Sequence, residues 1–482
     1  MSDFSKQLQK YVQRSGNTNV QIARLCGVER SLLQKYISGQ RVPAQAQTVV
    51  KMTEVLQLSP GERKKFLRAY YTKSVGPEIY EQRQLIQHMI QNFTYYSKRR
   101  EFYPRSCMGN INLDEIPEVT ILNDTMENWE KVSRLFEMEI EDGKGEMFVI
   151  AQPDVEPLNA LITRFLSYEH TKVTQIVCAE NWIARHRSNI NIKILSDLLP
   201  FLFGSDRYES RIYYEHLESH RNTMNVLPNL IVTKNFVACF DHDYKSGILY
   251  KNEIINEYYR NIFYKRLKEC RSYYHTRQNA MKSISAYPKE IRCTASIQAG
   301  PGLLPFLTRE NMADLANDNI KNKKEVIDAI FELYEGWRQQ ARTEGGYFQK
   351  CICTIKGMER FIEEGIVPEL CYYIKPVPLE MRIVLLHRML VHIEQGNYHL
   401  MMLDEQKYPL DQNLIIDICG NSIAYIISAE NKERKMVKVE EISVMEALND
   451  YILYLAESEW ILSKEEVEDY LKDAMQRLRT RI

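Results

Sequence analysis

The first 73 residues contain five short runs in which apolar residues recur every three or four positions, the spacing of one buried helix face. Glycine, proline and small polar residues separate the runs and predict where each helix ends. Either Thr18 or Asn19 is placed to cap the second helix, because a short side-chain oxygen accepts the free N–H groups of a first turn. The first two helices are expected to bury Phe4, Leu8, Tyr11, Val12, Ile22, Ala23 and Leu25.

The third run begins after Gly27, which suits the left-handed turn that ends a helix, and continues to Gly39. Its apolar side consists of Val28, Leu33, Tyr36 and Ile37, and its other side offers Arg30, Ser31, Gln34 and Lys35. Two short helices joined at a glycine, the second presenting polar side chains, predict a helix-turn-helix arrangement. Pro43 precedes a fourth helix, and a capping box from Ser59 to Glu62 opens a fifth.

Beyond residue 117 the pattern changes to short strands that alternate with helices, and two stretches of it look alike. Each stretch reads as an apolar helix, a strand, an Asn-Leu-Ile strand, a tight turn, a further strand and a second helix. The first covers residues 192–270 and the second residues 379–455. We therefore expect an α+β multidomain protein, in which an all-α five-helix head precedes a duplicated α/β body.

These patterns divide the chain into four parts. We expect a helix-turn-helix domain over residues 1–73, a helical connector and linker over 74–117, and two α/β units over 118–285 and 286–482. Within the connector, the helical pattern ends near Phe93 and the following residues look irregular.

Charge is distributed unevenly between the head and the rest of the chain. Residues 1–75 hold thirteen Lys and Arg against four Asp and Glu, a net charge of +9, and the remainder carries −10. A basic head on an acidic body is expected when one end of a protein meets a polyanion. No run of about 18 apolar residues indicates a membrane span, and the ten cysteines show no zinc spacing. We expect a cytoplasmic protein with no metal, no cofactor and no membrane partner.

The head resembles the Xre/Cro/phage-repressor family over about residues 4–72. The residues that carry the resemblance are 22–28, Ser31, Leu33, Tyr36, Gly39, Arg41, Pro43 and Leu56. Two residues depart from the family pattern, since Glu29 stands where Ser or Thr is common and Ile37 where an acid is common. Glu29 is still expected to cap a helix or to accept from a cytosine amine, and Ile37 to add an apolar contact with the body.

The resemblance implies a bacterial transcriptional regulator that binds a double-stranded DNA operator as a homodimer. Bases are then read by residues at the start of the recognition helix, namely Arg30, Ser31, Gln34 and Lys35. Arginine suits a guanine edge and glutamine an adenine edge. Phosphates are contacted from a helix N-terminus and from the loop after the reader, by Asn19, Gln40 and Arg41.

The body resembles, in pattern only, the degenerate phospholipase-D-like effector domains of some bacterial and archaeal regulators. The catalytic form of that fold needs two copies of a His-x-Lys motif, each followed by an acid. His170 and Lys172 supply one His-x-Lys, but Val177 takes the place of the acid and no second copy exists. We therefore expect no catalytic residues and no enzyme, but a body that responds to a small-molecule, peptide or protein effector.

Two other functions remain open on the sequence alone. One is an enzyme fused to a DNA-targeting head and acting on a phosphodiester or nucleotide, and the missing second motif counts against it. The other is an antitoxin-like or scaffold protein whose body binds another protein.

Overall fold

The computed structural model of the protein describes residues 2–98, 117–123, 129, 131–133, 135–136, 144–180, 189–215, 226–277, 286–318, 320, 322–344, 349–429 and 434–482. These residues form a helical head and a body that contains two mixed sheets. None of the helices within these ranges has both the length and the apolar character that crossing a membrane requires.

Five helices form the head, and their bounds follow the predicted runs: α1 Asp3–Arg14, α2 Asn19–Cys26, α3 Arg30–Ser38, α4 Ala46–Val55 and α5 Pro60–Val75. Their apolar faces close a core of their own, which includes Phe4, Leu8, Ile22, Leu33, Tyr36, Val49, Met52 and Phe66. Ser59 forms the predicted capping box at the start of α5, and Thr18, one of the two residues expected to cap α2, forms a capping box with Gln21.

Two local predictions about the head were wrong, and the first of the two roles expected of Glu29, a helix cap, is not formed. Leu25 is 53% exposed, because Cys26 takes the inward position at the end of α2. Ile37 packs in the core of the head itself instead of against the body. Glu29 precedes α3 but makes no capping hydrogen bond, and its carboxylate accepts from Ser31 Oγ at 3.3 Å.

The connector continues as helix, with α6 over Pro77–Gln91 and α7 over Phe93–Lys98. The second of these helices replaces the irregular segment expected after Phe93. Ile86, Met89 and Phe93 lie in the core of the body, so the connector packs as part of the body. Residues 99–116 of the predicted linker lie outside the described residues.

The first sheet consists of β1 Val119–Leu122, β2 Lys144–Ile150, β3 His170–Ala179, β4 Tyr208–Tyr214, β5 Asn229–Val232, β6 Val237–Phe240 and β7 Gly247–Tyr250. Their order across the sheet is β1-β7-β6-β5-β2-β3-β4. Helices α8 Glu156–Leu166 and α9 Ile190–Gly204 connect the parallel strands β2, β3 and β4, since a parallel pair needs a crossover. Antiparallel strands β5, β6 and β7 follow, and then α10 Glu253–Leu267.

The second sheet consists of β8 Tyr274–Arg277, β9 Cys293–Gln298, β10 Gln349–Thr354, β11 Tyr398–Leu403, β12 Leu414–Cys419, β13 Ile423–Ala429 and β14 Arg434–Val439. Its order, β8-β14-β13-β12-β9-β10-β11, repeats that of the first sheet strand for strand. The accompanying helices are α11 Arg309–Leu315, α12 Lys323–Glu344, α13 Ile355–Glu364, α14 Leu379–Glu394, α15 Ile442–Ala456 and α16 Lys464–Arg479. The predicted α+β class with a duplicated body is confirmed.

One contiguous apolar core joins the two sheets. Their inner faces contribute Val149 and Ile231 from the first sheet and Ile297 and Ile416 from the second. Helices α9 and α15 bury residues in the same core and pack against each other. Strand β8 pairs with β14 of the second sheet although it precedes residue 286, where the sequence pattern placed the start of the second unit. The boundaries of the four predicted parts stay predictions.

The head is joined to the body through α5, α6 and α15. Tyr71 of α5 packs edge-on against Tyr454 of α15, with ring centroids 5.6 Å apart. Arg83 of α6 donates to both carboxylate oxygens of Asp450, at 2.8 and 3.1 Å. The guanidinium carbon of Arg83 also lies 4.6 Å from the centre of the Tyr454 ring. These contacts link the position of the head to that of α15.

We expect Arg83→Ala to lower the free energy of unfolding of the full chain by about 1–3 kcal/mol. The Arg83 side chain is 15% exposed, and its loss leaves Asp450 without its bidentate partner. Arg63→Ala is the control, because the ion pair of Arg63 with Glu459 is more exposed and should cost less than about 1 kcal/mol. Urea unfolding of both variants measures the difference, and a larger loss in Arg63→Ala would contradict this ranking.

Candidate nucleic-acid interface

The turn between α2 and α3 is fixed by local interactions. Thr18 Oγ1 accepts from the backbone N–H of Gln21, and the Gln21 side chain accepts from the Thr18 N–H in return. At the other end of α2, Gly27 has φ 69°, a left-handed conformation that an L side chain rarely adopts. The backbone N–H of Val28 then donates to Ala23 O at 2.9 Å, which closes the turn.

Helix α3 divides into a buried side and an exposed side. Leu33, Tyr36 and Ile37 are buried in the head core. The four predicted base readers are all exposed in the same helix: Arg30, Ser31, Gln34 and Lys35. Because helical neighbours three and four positions apart share a face, Arg30 and Ser31 lie next to Gln34 and Lys35.

Asn19 and Gln34 are brought together by the fold. Asn19 Nδ2, at the first position of α2, donates to Gln34 Oε1 at 3.1 Å across the turn. A predicted phosphate contact and a predicted base contact are thus neighbours. The bond also orients the Gln34 amide, because its oxygen accepts from Asn19 and its nitrogen is left to donate.

Gln40 and Arg41 lie directly after α3, in a loop held by its last turn. Gly39 has φ 77°, and the backbone N–H groups of Gln40 and Arg41 both donate to Lys35 O, at 3.0 and 3.2 Å. Both side chains are exposed. The loop therefore presents them beside the C-terminal end of the predicted recognition helix.

The cations of the predicted interface are available for an external partner. Arg30, Lys35 and Arg41 make no ion pair with any residue that the structure describes. Arg14, in contrast, is paired with Glu62. The hydrogen bond from Arg14 lowers the pKa of Glu62 to about 2, so this acid remains charged at neutral pH and keeps Arg14 occupied.

The lone His-x-Lys motif of the body does not form part of a convergent site among the described residues. His170 is exposed at the first position of β3, and Lys172 Nζ lies 3.3 Å from Glu209 Oε2. Val177 is fully buried in the core that the two sheets share. Burial of an apolar side chain at that position explains why no acid follows the motif.

Comparison with known protein families supports the assignment of the head. Residues 3–66 match a family model described as a helix-turn-helix domain. This stretch contains α1 to α4 and the first part of α5, with the turn at Gly27 near its middle. The head of the chain is therefore a helix-turn-helix domain. This class of domain indicates a DNA-binding regulator.

Three solved structures show limited similarity to parts of the chain. TrmBL2, an archaeal chromatin protein, is 11% identical, and the similarity covers 56% of this chain and 99% of that one at a TM-score of 0.24. A phosphatidylserine synthase from Haemophilus influenzae is 8% identical, with 75% and 92% covered and a TM-score of 0.22. A polyphosphate kinase from Porphyromonas gingivalis is 12% identical, with 76% and 58% covered and a TM-score of 0.21. Similarities this low carry no argument about function, and no curated protein matches the chain.

Sequence reasoning missed a group of polar residues inside the second unit. Asp417, Glu369 and Arg434 line one cavity beside the second sheet. The signal was present in β12, where Asp417 is the single charged residue in Leu-Ile-Ile-Asp-Ile-Cys. An acid within an apolar strand needs polar partners in the fold, so its position alone indicated a polar site.

Proposed function

We propose that the protein is a cytoplasmic transcriptional regulator of the Xre/Cro/phage-repressor type that reads bases through α3. Base contacts are assigned to Arg30, Ser31, Gln34 and Lys35, and phosphate contacts to Asn19, Gln40 and Arg41. One observation carries the proposal: one side of α3 is buried, and its exposed side offers a hydroxyl, an amide and two cations that make no ion pair with a described residue. These are the groups that hydrogen-bond to base edges in the major groove.

The regulator acts as a homodimer on an inverted repeat. The recognition helix has nine residues and covers only a half-site, and specific affinity normally needs a larger interface than one such head offers. Two heads on one face of the duplex require half-sites about 10 bp apart, or a multiple of that distance. This spacing is a direct property to measure in any selected operator.

The body is proposed to be an effector domain without phosphodiesterase activity. Hydrolysis by the catalytic form of the fold it resembles needs a nucleophile and a separate acid. The catalytic form has two His-x-Lys motifs, whereas this chain has one, at His170, which is exposed at the first position of β3. The contacts of Tyr71 and Arg83 with α15 provide a physical connection through which a change in the body alters the position of the head.

We expect Arg30→Ala to weaken binding to the preferred operator by about 1–3 kcal/mol and to weaken non-specific binding much less, since a bidentate contact to guanine is lost. Arg41→Ala should weaken binding to all sequences about equally, because phosphates are the same in every sequence. Both side chains are exposed, so neither change should disturb the head core.

The measurement begins with operators selected from random duplexes by the wild-type protein. Each variant is then titrated against the selected duplex and against a scrambled duplex of equal length and base composition. The ratio of the two affinities is the specificity ratio of that variant. Equal specificity ratios for Arg30→Ala and Arg41→Ala would refute the division into base and phosphate contacts.

A further inference from the structure

The two sheets repeat one topology, but the faces that they turn away from the shared core differ. In the first unit this outer face is packed with apolar side chains, including Phe148 of β2, Val232 of β5 and Phe263 of α10. In the second unit a cavity of about 80 Å³ lies between the sheet and α12. Because the two sheets repeat one topology, equivalent positions on their outer faces can be compared.

The strand register shows which residues correspond. The pairs that point into the shared core are Val149–Ile231 in the first unit and Ile297–Ile416 in the second. One position away along the strands, on the outer face, the first unit pairs Phe148 with Val232. The second unit pairs Ser296 with Asp417 at the same place. A polar pair in the second copy therefore occupies the position of an apolar pair in the first.

The fold itself does not require the acid at Asp417. The first copy forms the same seven-stranded sheet with Val232 at that position. Removing a carboxyl group from water is unfavourable unless polar partners compensate. A buried acid that the fold does not need is better explained by a binding role.

The protein satisfies Asp417 by itself. Tyr287 donates its hydroxyl to Asp417 Oδ2 at 2.5 Å, and Ser296 Oγ donates to Oδ1 at 2.7 Å. Asp417 therefore holds Tyr287 and Ser296 in place at the wall of the cavity.

Glu369, at the same cavity, has an unused hydrogen-bonding group. The residue is 7% exposed, and its Oε1 accepts from the backbone N–H of Leu303 at 3.1 Å. Its Oε2 has no hydrogen-bond partner among the described residues. Burial raises the pKa of this carboxyl group to about 7, so a cationic partner would favour its ionised form.

Arg434 supplies the opposite charge on a neighbouring wall. Its Nη1 donates to the backbone oxygen of Glu369 at 2.9 Å, which places the two residues side by side. Its Nε has no hydrogen-bond partner among the residues described. Two residues that line the cavity therefore each hold a buried polar atom, one acidic acceptor and one basic donor, without a hydrogen-bond partner among the described residues.

An aromatic wall completes the cavity. The rings of Tyr287 and Tyr334 lie 5.7 and 5.1 Å, between centroids, from that of Trp337. All three residues line the cavity. Aromatic faces attract ammonium groups, so this wall favours a ligand with a positively charged nitrogen.

We infer that this cavity binds a small zwitterion of the α-amino acid class, with its ammonium group on Glu369 and its carboxylate on Arg434. One molecule of this class supplies both of the charges that the two unused groups require. At about 30 Å³ for each water molecule, the cavity has room for roughly three waters, so it favours the smallest members of this class. Binding of the zwitterion does not depend on the proposed function. An effect of that binding on DNA affinity does rest on the proposed function.

The test is calorimetric titration of the full-length protein with each of the twenty encoded L-α-amino acids, one at a time. We expect at least one to bind at one site per chain. Its N-acetyl derivative lacks the ammonium group and its decarboxylated amine lacks the carboxylate, and each should bind at least about tenfold more weakly. Glu369→Gln and Arg434→Met should each lower the affinity for the amino acid at least about tenfold. Glu310→Gln changes an exposed acid on α11 and should leave the affinity within about twofold.

Binding by none of the twenty amino acids would overturn the assignment. Equal binding by the N-acetyl or decarboxylated derivative would do the same, and neither result depends on a variant that folds. Operator binding measured on the same protein separates the two proposals. If the protein shows no sequence-specific DNA binding, the proposed regulatory function is refuted. The assignment of the cavity is not affected by that result.

Discussion

Phe66→Ala is expected to destabilise the head by about 3–5 kcal/mol and to leave the stability of the body unchanged. Phe66 is fully buried, stacked on Phe4 at 4.9 Å and edge-on to Tyr11 at 5.8 Å between ring centroids. A domain the size of the head has a total stability of roughly 4–11 kcal/mol. Losing these ring contacts and leaving a cavity therefore removes a large part of it, and sequence-specific DNA binding should be lost with it.

The sequence provides a convenient probe for this test. All four tryptophans lie in the body, at Trp129, Trp182, Trp337 and Trp460. Tryptophan fluorescence during urea unfolding thus reports the body, and hydrogen exchange of amides in α1 to α5 reports the head. Lys64→Ala is the control on the same helix, and this exposed position should change stability by less than about 0.5 kcal/mol. Phe66→Ala could lower the stability of the body, measured by tryptophan fluorescence, as much as it lowers the stability of the head, measured by amide exchange. That result would rule out a head that unfolds independently of the body.

Raising the salt concentration from 50 to 200 mM is expected to weaken operator binding by about 10³-fold. The predicted interface holds three cations in each head, Arg30, Lys35 and Arg41, and none of them is paired with a described residue. A dimer that neutralises about six phosphates releases their condensed counterions, which gives a slope of about −5 for log affinity against log salt. The slope must be negative, because added salt always opposes counterion release.

Arg41→Ala should make this slope less steep by about 1 for each head. Asn19→Ala is the matched control, since it removes a predicted phosphate contact that carries no charge and should leave the slope unchanged. Titrations at four or more salt concentrations give both slopes. A wild-type slope near zero would exclude phosphate contacts by these cations.

Most of the head was predictable because its signals are local. The capping boxes at Thr18 and Ser59 and the left-handed Gly27 involve residues within a few positions of one another. One of the wrong predictions concerns a helix turn that offers two inward candidates. Periodicity favours Leu25 and Cys26 almost equally, and packing against the neighbouring helices buries Cys26.

The duplication of the body was predictable from the sequence, but the cavity in its second unit was not. Alternating apolar residues and turn signals gave strands β4, β5 and β6 and their counterparts β11, β12 and β13. The pairing of β8 with β14 joins residues far apart in sequence, and such pairings leave no local pattern. The seven predicted DNA contacts stay predictions, and their arrangement around Gln34 and Asn19 came only from the fold.

The sequence by itself determined the five helices of the head, the charge division between head and body, and the duplication, because each depends on residue periodicity or on counts within a segment. The tertiary structure decided which charged residues meet. Glu369 and Arg434 carry no motif, and they become neighbours only because β14 and the turn at residues 368–370 lie along one cavity. The Asp417 carboxylate is compensated by Ser296 and Tyr287, from distant parts of the chain. Their partnership follows from strand register and packing, which no single segment encodes.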